Sequence, residues 1–209
     1  MITVQGIVAI ITVIILSAIL YFLGKKSSLK LTTKSVVAIG IGSALYAALS
    51  AVAIPIGPNT SFRMSIALLP IFGALFGPIV GLLVGFIGHA LNDALLWGSV
   101  WWSWVFLSAI LGMFGGLIKL DSSFDVATGK IENKHIVKMY AYAVIGMIAA
   151  SVVAYAGDVF LYGEPAKKVW IQIVLASSTN MAVMAVIGIP VVILLGKNKR
   201  KNQNLTLDE

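Results

Sequence analysis

Seven long apolar runs recur along this chain: Val4–Gly24, Ser35–Ala53, Met64–Phe76, Ile79–Leu96, Ser103–Ile118, Tyr140–Tyr155 and Val169–Leu195. Only the fourth contains a charged residue, Asp93. A bilayer core about 30 Å thick is crossed by roughly twenty helical residues, and most of these runs approach that length. Charged residues make up 11% of the 209 positions, where a soluble chain carries roughly 25%. A water-soluble fold of this size could not cover its surface with so few charges. The chain therefore reads as an all-α, polytopic membrane protein whose first partner is the lipid bilayer.

Several functional classes fall with that reading. No cysteine is present, which removes disulfide scaffolds, thiolate zinc sites, iron–sulfur clusters and cysteine nucleophiles. The only histidines are His89 and His135, too few for a multi-histidine metal centre, so no metal and no cofactor is expected. There is no GxxxxGK[ST], HExxH or GxSxG pattern, and no enzyme is expected. The net charge of +7 does not point to nucleic acid, because the basic residues sit between apolar runs, where they set membrane orientation.

The first run lacks a basic leader and a small-residue cleavage site, so it reads as a retained helix. The third run is short for a full span. Gly77-Pro78 separates it from the fourth and predicts a tight turn between two helices. If Lys25, Lys26, Lys30 and Lys34 are cytoplasmic, alternation of the helices places twelve of the fifteen Lys/Arg inside. Only Arg63, Lys167 and Lys168 fall outside, an asymmetry that predicts an outside N-terminus and a cytoplasmic C-terminus.

The fourth run concentrates polarity. His89, Asn92 and Asp93 stand at i, i+3 and i+4, which puts them on one helical face near its outer end. A carboxylate inside a membrane helix costs at least a few kcal/mol, so Asp93 is expected to face protein, water or ligand. Two readings stand: a polar wall of a solute site, or an Asp93–Arg63 ion pair tying a loop to the helix. The indoles that follow, Trp97, Trp101, Trp102 and Trp104, suit either an interfacial belt or a stacking platform for a planar solute. The segment 54–63 between the second and third runs is rich in Gly and Pro. It reads as a lid or as a simple connector, with Asn59, Thr60 and Arg63 offering polar contacts.

Small residues at spacing four mark close helix packing. Gly73, Gly77, Gly81 and Gly85 form one series; Gly40, Ala44 and Ala48 form another on the second run. Whether the second series packs within the chain or against a partner is not determined by spacing. The last run carries Gln172, Ser177, Ser178, Thr179 and Asn180, with Pro190 predicted to kink its inner end.

These residues carry a resemblance. Leu69-Pro70-Ile71-Phe72-Gly73-Ala74-Leu75-Phe76-Gly77-Pro78-Ile79-Val80-Gly81, then Gly85-Phe86-Ile87-Gly88-His89-Ala90-Leu91-Asn92-Asp93 and Trp101-Trp102-Ser103-Trp104, is similar to the S components of energy-coupling factor (ECF) vitamin transporters. The match lies on the riboflavin-type, largely uncharacterised branch. The resemblance implies a six-helix solute-binding domain at 34–196, preceded by an extra helix and basic linker at 1–33 and followed by a polar tail at 197–209. It implies a bacterial cell-membrane subunit that captures a vitamin or related small molecule and works with a transmembrane coupling (T) subunit and two cytosolic ATPase subunits. Solute-binding roles are implied for Asn59, Arg63, His89, Asn92, Asp93, Trp97 and Trp101. An Ala-x-x-x-Ala docking motif is matched by Ala44 and Ala48. A stand-alone proton-coupled transporter using Asp93 or His89, and a membrane scaffold protein, are the alternatives.

Overall fold

The computed structural model describes residues 4–23 and 32–205. Most of the basic linker, with Lys25, Lys26 and Lys30, and the last residues of the tail lie outside the described residues. Five helical stretches are long and apolar enough to cross a membrane: Thr33–Ser50, Pro78–Trp97, Trp102–Leu120, Asn133–Leu161 and Ala166–Lys201. With the shorter apolar helices at Gly6–Ile19 and Met64–Phe76, they match the seven runs one for one.

Helix α1 (Val4–Leu23) packs through Ala9 and Val13 against Leu82, Phe86, Val105 and Ala109 of the helices that follow. Helix α2 (Thr33–Ser50) starts at Thr32, whose hydroxyl accepts from the Ser35 amide and so satisfies one of the donors left open at a helix start. Its inward residues include Ala38, Gly42, Tyr46 and Ser50, four apart. Gly40, Ala44 and Ala48 face outward and are exposed, and a Cβ added at Gly40 would meet no atom within 4 Å.

The segment read as a loop is a β-hairpin, β1 (Ala53–Gly57) paired antiparallel with β2 (Thr60–Arg63). A bulge falls between Pro55 and Gly57, where proline can supply no ladder hydrogen. Asn59 at the tip has φ 47°, a left-handed conformation that asparagine tolerates. A 3₁₀ turn (Met64–Ala67) leads into α3 (Leu68–Phe76), and together they stay too short for a full span. Gly77 adopts φ 101°, a region closed to ordinary side chains, and Pro78 opens α4 (Pro78–Trp97) at the position where its missing amide hydrogen costs nothing. The predicted tight turn is present.

Helix α5 (Trp102–Gly116) lies against α4 backbone to backbone. A Cβ added at Gly81 would fall on the Gly112 carbonyl, one at Gly85 on the Ser108 carbonyl, and one at Gly73 on the backbone at Gly112–Gly116. A 3₁₀ turn (Leu117–Leu120) then enters a folded loop in which Asp125 and Lys130 exchange backbone hydrogen bonds. Beyond that loop, α6 (Asn133–Ala156) is closed by a capping box between Glu132 and the buried His135. In the loop, the Lys138 ammonium and the Ser123 hydroxyl and amide hold the Asp121 carboxyl well below the usual carboxylate range.

Two helices run further than their apolar stretches. Helix α6 continues through a π-helical turn, Gly157–Leu161, and α7 (Ala166–Val183) continues through a second, Met184–Gly188, into α8 (Ile189–Leu205). The disturbance expected at Pro190 falls just ahead of it. A proline ring crowds the carbonyl four residues back, here Val186, and the wider turn accommodates that crowding.

Candidate solute site

A cavity of about 470 Å³ opens at the end of the bundle that carries the hairpin. Its roof is Pro55, Gly57, Asn59, Thr60 and Ser61, and its walls come from α2, α4, α5, α7 and the turn after α6. Of the seven residues assigned to solute from sequence, Asn59, Arg63, His89, Asp93, Trp97 and Trp101 all line it. Asn92 does not. It is buried behind Asp93, donating through Nδ2 to Asp93 Oδ1 at 3.2 Å.

Of the two readings left open for Asp93, the ion pair with Arg63 is not formed among the described residues. Arg63 instead places Nη1 at 3.1 Å from Nε2 of His89. A guanidinium can only donate, so Nε2 accepts, and the ring's single proton sits on Nδ1. That nitrogen lies 2.7 Å from Ser108 Oγ, which is 2.9 Å from the Tyr46 hydroxyl. The result is a hydrogen-bonded chain through Arg63, His89, Ser108 and Tyr46 that joins the hairpin to α4, α5 and α2. Asp93 takes a different partner: its Oδ2 accepts from the Trp101 amide at 3.1 Å, tying the end of α4 to the start of α5. Gly98, at φ 68°, makes the reversal between them possible.

The tryptophans divide. Trp97 is 70% exposed on the rim, as an interfacial indole would be. Trp102 packs on Phe86, away from the cavity. Trp101 and Trp104 line the cavity and turn their Nε1 groups to one carboxylate, Asp158, at 2.8 and 2.9 Å. Ser103 Oγ donates to the same group. Tyr162 stacks on Trp101 with centroids 4.6 Å apart.

Asp158 is the residue that sequence reading missed. The sixth apolar run, Tyr140–Tyr155, stops short of it. The available signal was an aspartate flanked by apolar residues, Ala154-Tyr155-Ala156-Gly157-Asp158-Val159-Phe160-Leu161, in a run that does not stop. Gln172 and Asn180, noted only as polar positions, also line the cavity, and Gln172 Nε2 donates to the Pro58 carbonyl at 2.9 Å. Ala44 and Ala48 lie on the outer face of α2, apart from the cavity lining.

A concave enclosure lined by apolar and aromatic side chains with fixed polar groups is the usual form of a small-molecule site, and its volume falls within the roughly 300–1,000 Å³ typical of one. Comparison with known proteins gives the site a context. A family model, described as ECF-type riboflavin transporter, S component, matches residues 30–197, leaving α1 outside the match. A protein of Streptococcus gordonii described as "UPF0397 protein" is 40% identical over 179 residues, covering 85% of this chain and 95% of that one. No solved structure matches. On the family match and this relative, the chain belongs to the ECF-type riboflavin transporter S component family.

Proposed function

We propose that this chain captures a vitamin or vitamin-like small molecule outside the cell and delivers it with a transmembrane coupling subunit and two cytosolic ATPases. The observation that carries this is the roofed cavity, where Arg63, His89, Asp93 and the indoles of Trp101 and Trp104 converge at one end of a membrane bundle. Family membership supports a substrate-binding subunit of an ECF transporter and gives no support to catalysis. The placement of basic residues supports an outside cavity, since Lys119, Lys130, Lys134, Lys138 and the Lys197–Lys201 cluster lie at the opposite end. The Streptococcus relative supports a bacterial cell membrane.

The exposed stripe of Gly40, Ala44 and Ala48 supports docking. Small side chains let a second helix approach closely, and among the described residues this face is exposed, with nothing within 4 Å of a Cβ at Gly40. The bonding of His89 argues against a proton relay there, because Arg63 occupies its accepting nitrogen. A mild-detergent pull-down of the tagged chain, with mass spectrometry of proteins and released small molecules, tests the reading. A coupling subunit and two ATPases should co-purify, with a bound compound. Solute uptake by the chain alone in liposomes, driven by a proton gradient, would overturn it.

A further inference from the structure

Of the ionisable groups lining the cavity, three are carboxylates and two are cations. Lys168 pairs with Glu164 at 2.7 Å, and Arg63 donates to the neutral His89 and keeps its charge, which bears on the third carboxylate, Asp93. Asp158 is 2% exposed, and each of its donors is neutral: the indoles of Trp101 and Trp104 and the hydroxyl of Ser103. No cation of the described residues forms an ion pair with it. A carboxylate offers about four lone-pair positions. Here Oδ1 takes two bonds and Oδ2 takes one, so one position on Oδ2 remains for a further donor.

A second group points the same way. Gln172 is 4% exposed, lines the cavity, and leaves its Oε1 without a hydrogen-bond partner. Its orientation is determined, because turning the amide over would set its oxygen against the Pro58 carbonyl. Asn92 Oδ1, behind Asp93, is likewise unpartnered, and there the neighbouring carboxylate fixes the amide. Within the cavity lining the unmet groups are thus the Gln172 oxygen and the buried Asp158 carboxylate.

We propose that the captured solute is a cation, a compound with a fixed positive or protonated nitrogen that seats against Asp158. This rests on the substrate-binding reading of the same cavity and goes beyond it by naming the charge class. A cationic solute supplies the missing counter-charge to Asp158 and donates to Gln172. A neutral solute leaves the carboxylate uncompensated in a low-dielectric enclosure, where buried unpaired charge is costly.

The test is isothermal titration of the purified full chain with two near-isosteric probes, N-methylquinolinium and 2-methylquinoline, at mildly alkaline pH where only the first is charged. The charged probe should bind at least about tenfold more tightly. That preference should vanish in Asp158→Asn and persist in Asp121→Asn, which alters a carboxylate remote from the cavity. Equal affinities, or binding of neither probe, overturn the inference, and the wild-type comparison stands alone if Asp158→Asn fails to fold. Mass spectrometry of the co-purified compound separates the two readings. A neutral or anionic compound recovered together with a coupling subunit and ATPases overturns the charge class and leaves the substrate-binding function intact.

Discussion

Two series of small residues share the same spacing and meet opposite fates. Gly81 and Gly85 on α4 face Gly112 and Ser108 of α5 so closely that no Cβ fits between the helices. Gly40, Ala44 and Ala48 on α2 face outward, and Gly40 has no neighbour where its Cβ would be. In one case the chain contains its own partner, and in the other the smooth face is left open. Spacing reports the capacity for close approach, and only the tertiary structure shows whether that capacity has been used.

The contrast is easiest to break with one bulky residue on the open face. Ala48→Leu should bring uptake to background in whole cells while solute affinity and thermal unfolding stay near wild type. A parallel loss of solute binding would assign Ala48 to the fold and erase the distinction. On the closed face, Gly81→Ala should lower stability by about 1–3 kcal/mol, because the methyl group meets a backbone carbonyl that cannot move aside. Thermal unfolding in detergent reads this directly, and an unchanged midpoint would show that α4 and α5 stand further apart.

The cavity offers an intermediate effect. Arg63→Ala removes the donor that ties the hairpin to His89 and should lower thermal stability by about 1–3 kcal/mol. An unchanged midpoint would mean that the Arg63–His89 link does not hold the hairpin in place. A smaller effect with reversed sign is expected at Gly40→Ala. Helix propensity should raise stability by up to ~1 kcal/mol, since nothing obstructs the methyl group. The same substitution would then stabilise one stripe and destabilise the other.

The smallest effect lies at the opposite end of the molecule. The folded state holds Asp121 ionised below its unfolded range, so its stabilising contribution is present above about pH 4 and lost as pH falls further. Asp121→Asn should flatten the acid limb of the unfolding profile. An unaltered limb would shift that acid sensitivity to another carboxylate.

Much of this was legible in the sequence. Apolar length located the seven helices, and Gly77-Pro78 located a turn, because both follow from local chemistry. The polar face of α4 was legible too, since i, i+3 and i+4 spacing needs no tertiary information. The hairpin was not. Its strands are short, Pro55 and Gly57 obscure alternation, and pairing of Ala53 with Arg63 is a non-local event. Arg63 was placed near the polar face with its partner left open, since nothing in a linear pattern distinguishes Asp93 from His89 one helical turn away. Asp158 escaped because it lies beyond the apolar run Tyr140–Tyr155, whereas three donors from α5 and the residue just before it hold the turn in place.

The π-helical turn at Gly157–Leu161 has a consequence for how this site tolerates change. Ala150, Ala154, Asp158 and Tyr162 lie four apart, and in an α-helix each such step overshoots a full revolution by about 40°. A wider turn needs more residues per revolution and winds back part of that drift. The buried alanines, the aspartate and the ring stacked on Trp101 are thereby kept in phase with the same neighbours. Losing or gaining one residue there would rotate the two sides of the turn against each other by on the order of 100° while leaving apolar length almost unchanged. This stretch should therefore resist insertions and deletions more strongly than it resists substitutions.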